Sequence, residues 1–458
     1  MPLDTALSTD VRGLPLSGIN DDQVQIYDAL LTDIYHYVPG TAGLLETLLE
    51  DAPEFVLGHV LRGYSVMTDG FKSGEEAARG HLQRAKTLIG GATEREKLHV
   101  TALENWNNGN FAGRNGAWEE IISQWPRDLL AYRQLTGTLF WSGDKKRQLT
   151  AALQTLQHWS PAVAGYGLVL GPMAFALEEA GHYAKAEAYA KDALDINPTD
   201  LWSLHALAHV FEMQGRVKEG EARIEEVQDR LNDFNLFRGH IWWHLALFKM
   251  AQGKLDGALA LVDKQIYPNS STFYLDIQNA ASALSRLEFQ GVDVGDRWNR
   301  ISEASEKTLG DHNILFTVPH QAMALARTSD EASLNRALQT WAAGSDDSTE
   351  SRLASKAAEA MAKFQSKNYA QALEILYPIR FELAALGASH AQQDIYFQYM
   401  VMAASELSEF SKVRNLLRER IAARFETEDD FAKIKAKMTA IDSVSTKSEA
   451  AALLRGGL

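Results

Sequence analysis

Apolar residues recur along this chain at helical rather than alternating spacing. In the stretch from Leu201, the residues Leu204, Leu207, Ala208 and Phe211 fall on one helical face. No run alternates apolar and polar residues as a half-buried strand would. The pattern predicts helix pairs from about residue 20 to about residue 423, followed by a polar helix or tail over 424–458 and preceded by a short extension over 1–19.

The helices repeat. From Gly167 to Asp200, the residues Ala174, Gly181, Tyr183, Ala186, Ala193 and Pro198 occupy the small, turn and breaker positions of a 34-residue tetratricopeptide unit. Small residues let two helices approach closely, Gly181 turns the chain, and Pro198 ends the second helix. Gly215 with Ala208 marks the next unit, Gly253 with Ala258 a third, and Asn368-Tyr369 with Ala372 a later one. Pro53, Pro126, Pro198 and Pro268 recur at 73, 72 and 70 residues, as breakers closing alternate pairs. The fold expected is therefore all-α, a right-handed α-solenoid of tetratricopeptide-type helix pairs forming one superhelical domain. The Gly291–Asp296 and Gly344–Thr349 stretches read as loops that interrupt the period.

Of 458 residues, 60 are acidic and 45 basic, giving a formal charge of −15. Basic residues are scattered among acids, so the expectation is that the chain binds no nucleic acid. The absence of cysteine excludes disulfides, thiolate metal sites and cysteine nucleophiles. No segment approaches the roughly 20 apolar residues that span a bilayer, so no membrane partner and a cytoplasmic location are expected. A homo-oligomer is compatible with the sequence. Phosphate-binding loops, a Gly-x-Ser-x-Gly elbow and a His-Glu-x-x-His motif are all missing.

Histidines carry the candidate chemistry. In such a superhelix the first helix of each pair lines the concave face, so a stripe on it meets whatever the groove binds. His205, His209 and Glu212 lie at i, i+4 and i+7, on one stripe. His240, Trp243 and His244 fall on the matching stripe of the next unit, and His205–His240 and His209–His244 are each 35 residues apart. With helix axes about 8–10 Å apart, imidazoles from both could converge. Asp276 would come from the following inner helix and His320 from the one after.

Three roles fit the cluster His205, His209, His240 and His244. They could act as general acid and base near neutral pH. His205, His209 and His240 could hold a divalent metal. They could also only stitch helices together by hydrogen bonds. The spacer Ala206-Leu207-Ala208 lacks the glutamate of a zinc-protease helix, and no outer partner is evident, which weighs against the metal. Of Trp242 and Trp243, one should pack in the core and Trp243 should face the groove. Arg286 could anchor a carboxylate or phosphate, or pair with Glu288. Asp276 and Asp394 could orient histidines or cap helices, the cap being preferred for Asp394. His36, His59, His81, His99, His158, His182 and His312 show no partner spacing, and His390 precedes an aromatic-rich helix that could close one end of the groove.

The segments His205–Arg216, His240–Leu247, Asp276–Glu288, His320 and Asp394–Gln398 together resemble the tetratricopeptide repeat protein 38 family of bacteria and animals, over about three quarters of the chain. That resemblance implies a superhelix with a histidine-bearing groove and names no activity. Asn279 departs from the small or acidic residue expected there. Two functions follow: a pocket lined by Glu212, Trp243, Asp276, Asn279, Arg286 and His320 that binds a small polar or anionic ligand or a peptide segment, or a metal-dependent hydrolase or lyase using the four histidines on a small substrate.

Overall fold

A computed structural model describes residues 7–235, 237–343, 348–423 and 428–455. The loop expected over Gly344–Thr349 lies largely outside them. The described residues form an all-α solenoid of antiparallel helix pairs, with one two-stranded antiparallel pair, Ser8–Thr9 with Pro15–Leu16, at the beginning. The first helix, Asp21–Tyr35, starts where expected: Asn20 and Gln23 satisfy each other's backbone N–H in a capping box.

The predicted punctuation holds. Gly181, Gly215 and Gly253 sit between paired helices with φ of 82°, 69° and 73°, a conformation costly for residues bearing a Cβ. The same device reaches back to Gly109 and Gly143 and forward to Gly291, so the repeat extends on both sides of the units marked by Gly181, Gly215 and Gly253. Pro53, Pro126, Pro198 and Pro268 each follow within two residues of a helix end. Ile441, Val444 and Ala450 are buried, so the last two helices, Glu428–Ile441 and Lys447–Arg455, pack on the body of the protein. No helix among the described residues is long and apolar enough to cross a membrane.

The solenoid closes on itself. Lys72 N donates to Asp311 O at 2.7 Å, Asn313 N to Gly70 O at 2.8 Å, and Ser73 Oγ to Asp311 Oδ2 at 2.8 Å. These partners are 238 to 243 residues apart, about seven repeats. Asn235 N donates to Tyr37 O at 2.8 Å across the same seam. Farther along, the His390–Glu406 helix lies inside the turn, against the Leu201–Met213 and Tyr274–Phe289 helices. The concave face expected to be an open groove is thereby covered.

Gly387 brings this inner helix into place. Its φ is 74° and ψ −155°, and a Cβ there would lie 2.0 Å from Trp141 O. Gly387→Ala is expected to destabilise the protein by about 2–4 kcal/mol, combining backbone strain with a backbone clash, as read from the midpoint of denaturant unfolding. His312 on the seam is buried, bonds Thr308 Oγ1 at 3.2 Å, and is held by burial at a pKa of about 4. Since its folded pKa lies below the ordinary 6.5, its neutral form favours folding above that pH, and the advantage is lost as pH falls from 6.5 toward 4. The stability gap between wild type and His312→Gln is expected to narrow over that range by at most about 3 kcal/mol, measured by unfolding at each pH.

Candidate metal centre

Two successive inner helices supply the histidines. Leu201–Met213 is fixed at its start by Asp200, whose Oδ1 accepts from Ser203 N at 2.7 Å. Arg238–Ala251 follows one repeat later. Small residues beside the stripe, Ala206, Ala208 and Ala246, are fully packed and let these helices approach.

The four imidazoles meet, as the spacing predicts. His209 Nε2 lies 2.9 Å from His205 Nε2, and His240 Nε2 lies 3.1 Å from the same atom. The ring of His244 is 4.5 Å from that of His209 and 4.9 Å from that of His240. One nitrogen of each of the four falls within 4.8 Å of the others. All four rings are at most 2% exposed.

Each ring but His205 has an outer partner on a neighbouring inner helix. His240 Nδ1 lies 2.8 Å from Asn279 Oδ1, which can only accept, so the proton sits on Nδ1 and leaves Nε2 with a lone pair. Glu178 Oε2 stands 3.7 Å from His209 Nδ1, and Glu212 Oε2 stands 3.4 Å from His244 Nδ1. Glu178 and Glu212 are one 34-residue period apart, each three residues before its turn glycine. That periodicity was the available signal for Glu178, which sequence reasoning missed, and it supplies the outer pattern thought absent.

Burial keeps His205, His209 and His240 neutral. Burial, then neighbouring histidines, pushes His205 and His209 well below the ordinary imidazole range, and burial holds His240 at about 3. Burial, reinforced by Glu179, raises Glu178 well above the usual carboxylate value. For Glu179 burial acts in the same direction, but Lys145 at 2.7 Å outweighs it and the pKa falls. Hydrogen bonds alone do not satisfy the cluster. His205 Nε2 can carry one proton between two close nitrogens, while His205 Nδ1, both nitrogens of His244 and both oxygens of Glu178 have no hydrogen-bond partner. Unmet buried groups of this kind cost about 1–3 kcal/mol each.

Other expected residues separate from the tetrad or change role. Trp243 is fully buried rather than facing open space, because inner helices cover it; Trp242 is 4% exposed. The Trp243 ring stacks on His240 at 5.0 Å and 13°. His320 turns to Phe316 O at 2.8 Å and sits beside Tyr396, with burial holding it at about 4. Asp276 lies buried in the first turn of Tyr274–Phe289, and burial raises it to about 6; it contacts none of the four rings through a hydrogen bond. Asp394 is no cap, since Ser389 caps its helix; it binds Arg420 instead. Glu288 pairs with Arg327 and not with Arg286. Several histidines without partner spacing do find partners: His36 lies 3.9 Å from Asp200, His59 3.5 Å from His81, and His99 3.0 Å from Asp128. A 430 Å³ cavity lined by His36 and Asp200, and a smaller one beside His312, do not include the tetrad.

No protein-family model matches the chain. Among solved structures, the human IFIT1 dimer with m7Gppp-AAAA is similar at 14% identity, covering 96% of this chain and 97% of that one, with a TM-score of 0.41. The human IFIT1 dimer with PPP-AAAA is 13% identical over 96% of each chain, with a TM-score of 0.43. These structures hold RNA-type oligonucleotides, so the expectation that excluded nucleic acid as a partner is withdrawn. Net charge is a sum over the whole surface, whereas phosphate contacts are local, and −15 does not decide the matter. The chain is a tetratricopeptide-type helical solenoid.

Asp200→Ala removes the cap that fixes the helix bearing His205 and His209. It is expected to cost about 0.5–2 kcal/mol in denaturant unfolding.

Proposed function

We propose that the protein is a metal-dependent enzyme acting on a small polar or anionic molecule, with His205, His209, His240 and His244 holding one divalent transition-metal ion. The observation that carries this reading is the meeting of four buried imidazoles, with Glu178, Glu212 and Asn279 beside them. The acceptor Asn279 Oδ1 fixes the tautomer of His240 and raises its basicity as a ligand.

The spacing bears on which ion fits. With metal–nitrogen bonds of about 2.1 Å, right-angle neighbours lie about 3.0 Å apart and tetrahedral ones about 3.4 Å. Nitrogens at 2.9 and 3.1 Å match the former. The four imidazoles would hold such an ion, and substrate or water would take its remaining positions. When bound, it supplies Lewis-acid polarisation of a substrate oxygen, the chemistry of a hydrolase or lyase. The chain's own groups exclude water, orient His240 through Asn279, and present Arg286 and Trp243 to the substrate.

An extended peptide fits this interior less well than a small molecule, because the His390–Glu406 helix covers the inner face. We assign the chain to the tetratricopeptide repeat protein 38 family on the histidine-bearing segments that carry the resemblance, and place the activity in the cytoplasm.

Elemental analysis of the purified protein is expected to find about one iron, manganese, cobalt, nickel or zinc ion per chain. His209→Ala and His244→Ala are expected to lose it while remaining folded by circular dichroism. Wild-type protein that takes up none of these ions from solution would refute the centre.

A further inference from the structure

Beside the tetrad lies a buried cation without an anion of its own. Arg286 is 4% exposed. Its guanidinium donates to neutral acceptors only: Nη1 to Ser282 Oγ, and Nη2 to Ala391 O at 2.9 Å. Asp394 approaches no closer than 3.9 Å, and it already accepts from Arg420 Nη2 at 3.0 Å and Gln398 Nε2 at 2.7 Å. Glu212, the other acid acting on Arg286, faces His244. A charge withdrawn from water with no close counter-ion is strongly destabilising.

The surroundings are rich in donors. Asn279, Ser282 and Arg286 lie at i, i+3 and i+7, on one face of the Tyr274–Phe289 helix. Asn279 Nδ2 and Trp243 Nε1 are buried with no hydrogen-bond partner. The Arg286 guanidinium stands 5.6 Å from the Trp243 ring, whose stacking on His240 leads to the tetrad.

We propose that this wall binds a small carboxylate, gripped by Arg286, accepting from Trp243 and Asn279, and extending toward the tetrad. The proposal rests on the reading of the tetrad as the centre toward which the ligand extends. Arg286 and Arg420 share the single carboxylate of Asp394, an excess of one positive charge. A carboxylate supplies one negative charge and matches the guanidinium fork, whereas a phosphate monoester at neutral pH supplies nearly two. The enclosure by the His390–Glu406 helix limits the ligand to a small one.

The test uses metal-loaded full-length protein and thermal unfolding with formate, acetate or succinate, against inorganic phosphate and chloride at matched ionic strength. The carboxylates are expected to raise the midpoint with the logarithmic concentration dependence of one-site binding, and phosphate is not. Arg286→Met is expected to retain its metal, to unfold in carboxylate-free buffer at the wild-type temperature or above, and to bind carboxylate at least about 10-fold more weakly. In cobalt-loaded wild type, succinate is expected to shift the visible spectrum. Equal carboxylate response in wild type and R286M, or no carboxylate-specific response in wild type, overturns the proposal. Metal content is assayed in every sample. A metal-free wild type would refute the centre, while its response to carboxylate with and without Arg286 would still decide this site.

Discussion

Exclusion of water from the inside of the superhelical turn is the constraint on which the site depends. The inner helices of a solenoid ordinarily face an open channel, where histidine, glutamate and arginine keep their hydration. Here the seam joining Gly70–Ser73 to Asp311–Asn313 closes the turn, and the His390–Glu406 helix occupies its interior. Dehydration makes His205, His209 and His240 neutral, raises Glu178, and leaves Arg286 without solvent to screen it. The same groups on an open groove would be ordinary surface residues.

Closure in turn relies on local geometry far from the histidines. Gly387 adopts a backbone conformation that favours glycine because Trp141 O leaves no room for a Cβ. Asp200 holds the start of the helix that carries His205 and His209, and lies within 3.9 Å of His36 on the first helix. Stability of the shell and composition of the centre are thus coupled through helix ends rather than through the rings themselves. A second buried network, Asp128 with Arg95 at 2.6 Å and His99 at 3.0 Å, serves the amino-terminal half in the same way. It joins a cap to two neighbours and has no unmet imidazole, which separates it from the tetrad.

The outer partners show how a repeat builds chemistry. Glu178 and Glu212 occupy equivalent positions in successive units, and each faces a histidine of the unit that follows. Asn279, where a small or acidic residue was expected, accepts from His240 and completes the series. One period of the repeat therefore places ligand and supporting acid on adjacent helices without any local motif, which is why no contiguous signature marks the site.

By itself the sequence determined the helix pairs, their turns and breakers, and the meeting of the four histidines. Period and stripe follow from local geometry: 3.6 residues per turn and about 34 per unit put His205, His209, His240 and His244 on facing stripes of neighbouring helices. Contacts between neighbouring units are short-range in sequence, and so they were legible. Tertiary structure alone decided what those stripes face. Whether Trp243 meets solvent, whether Asp394 caps a helix or binds Arg420, and whether Arg286 finds a counter-ion all depend on contacts spanning up to 243 residues. Such contacts arise from the accumulated curvature of every intervening unit, a sum over many small rotations that no single stretch of sequence encodes.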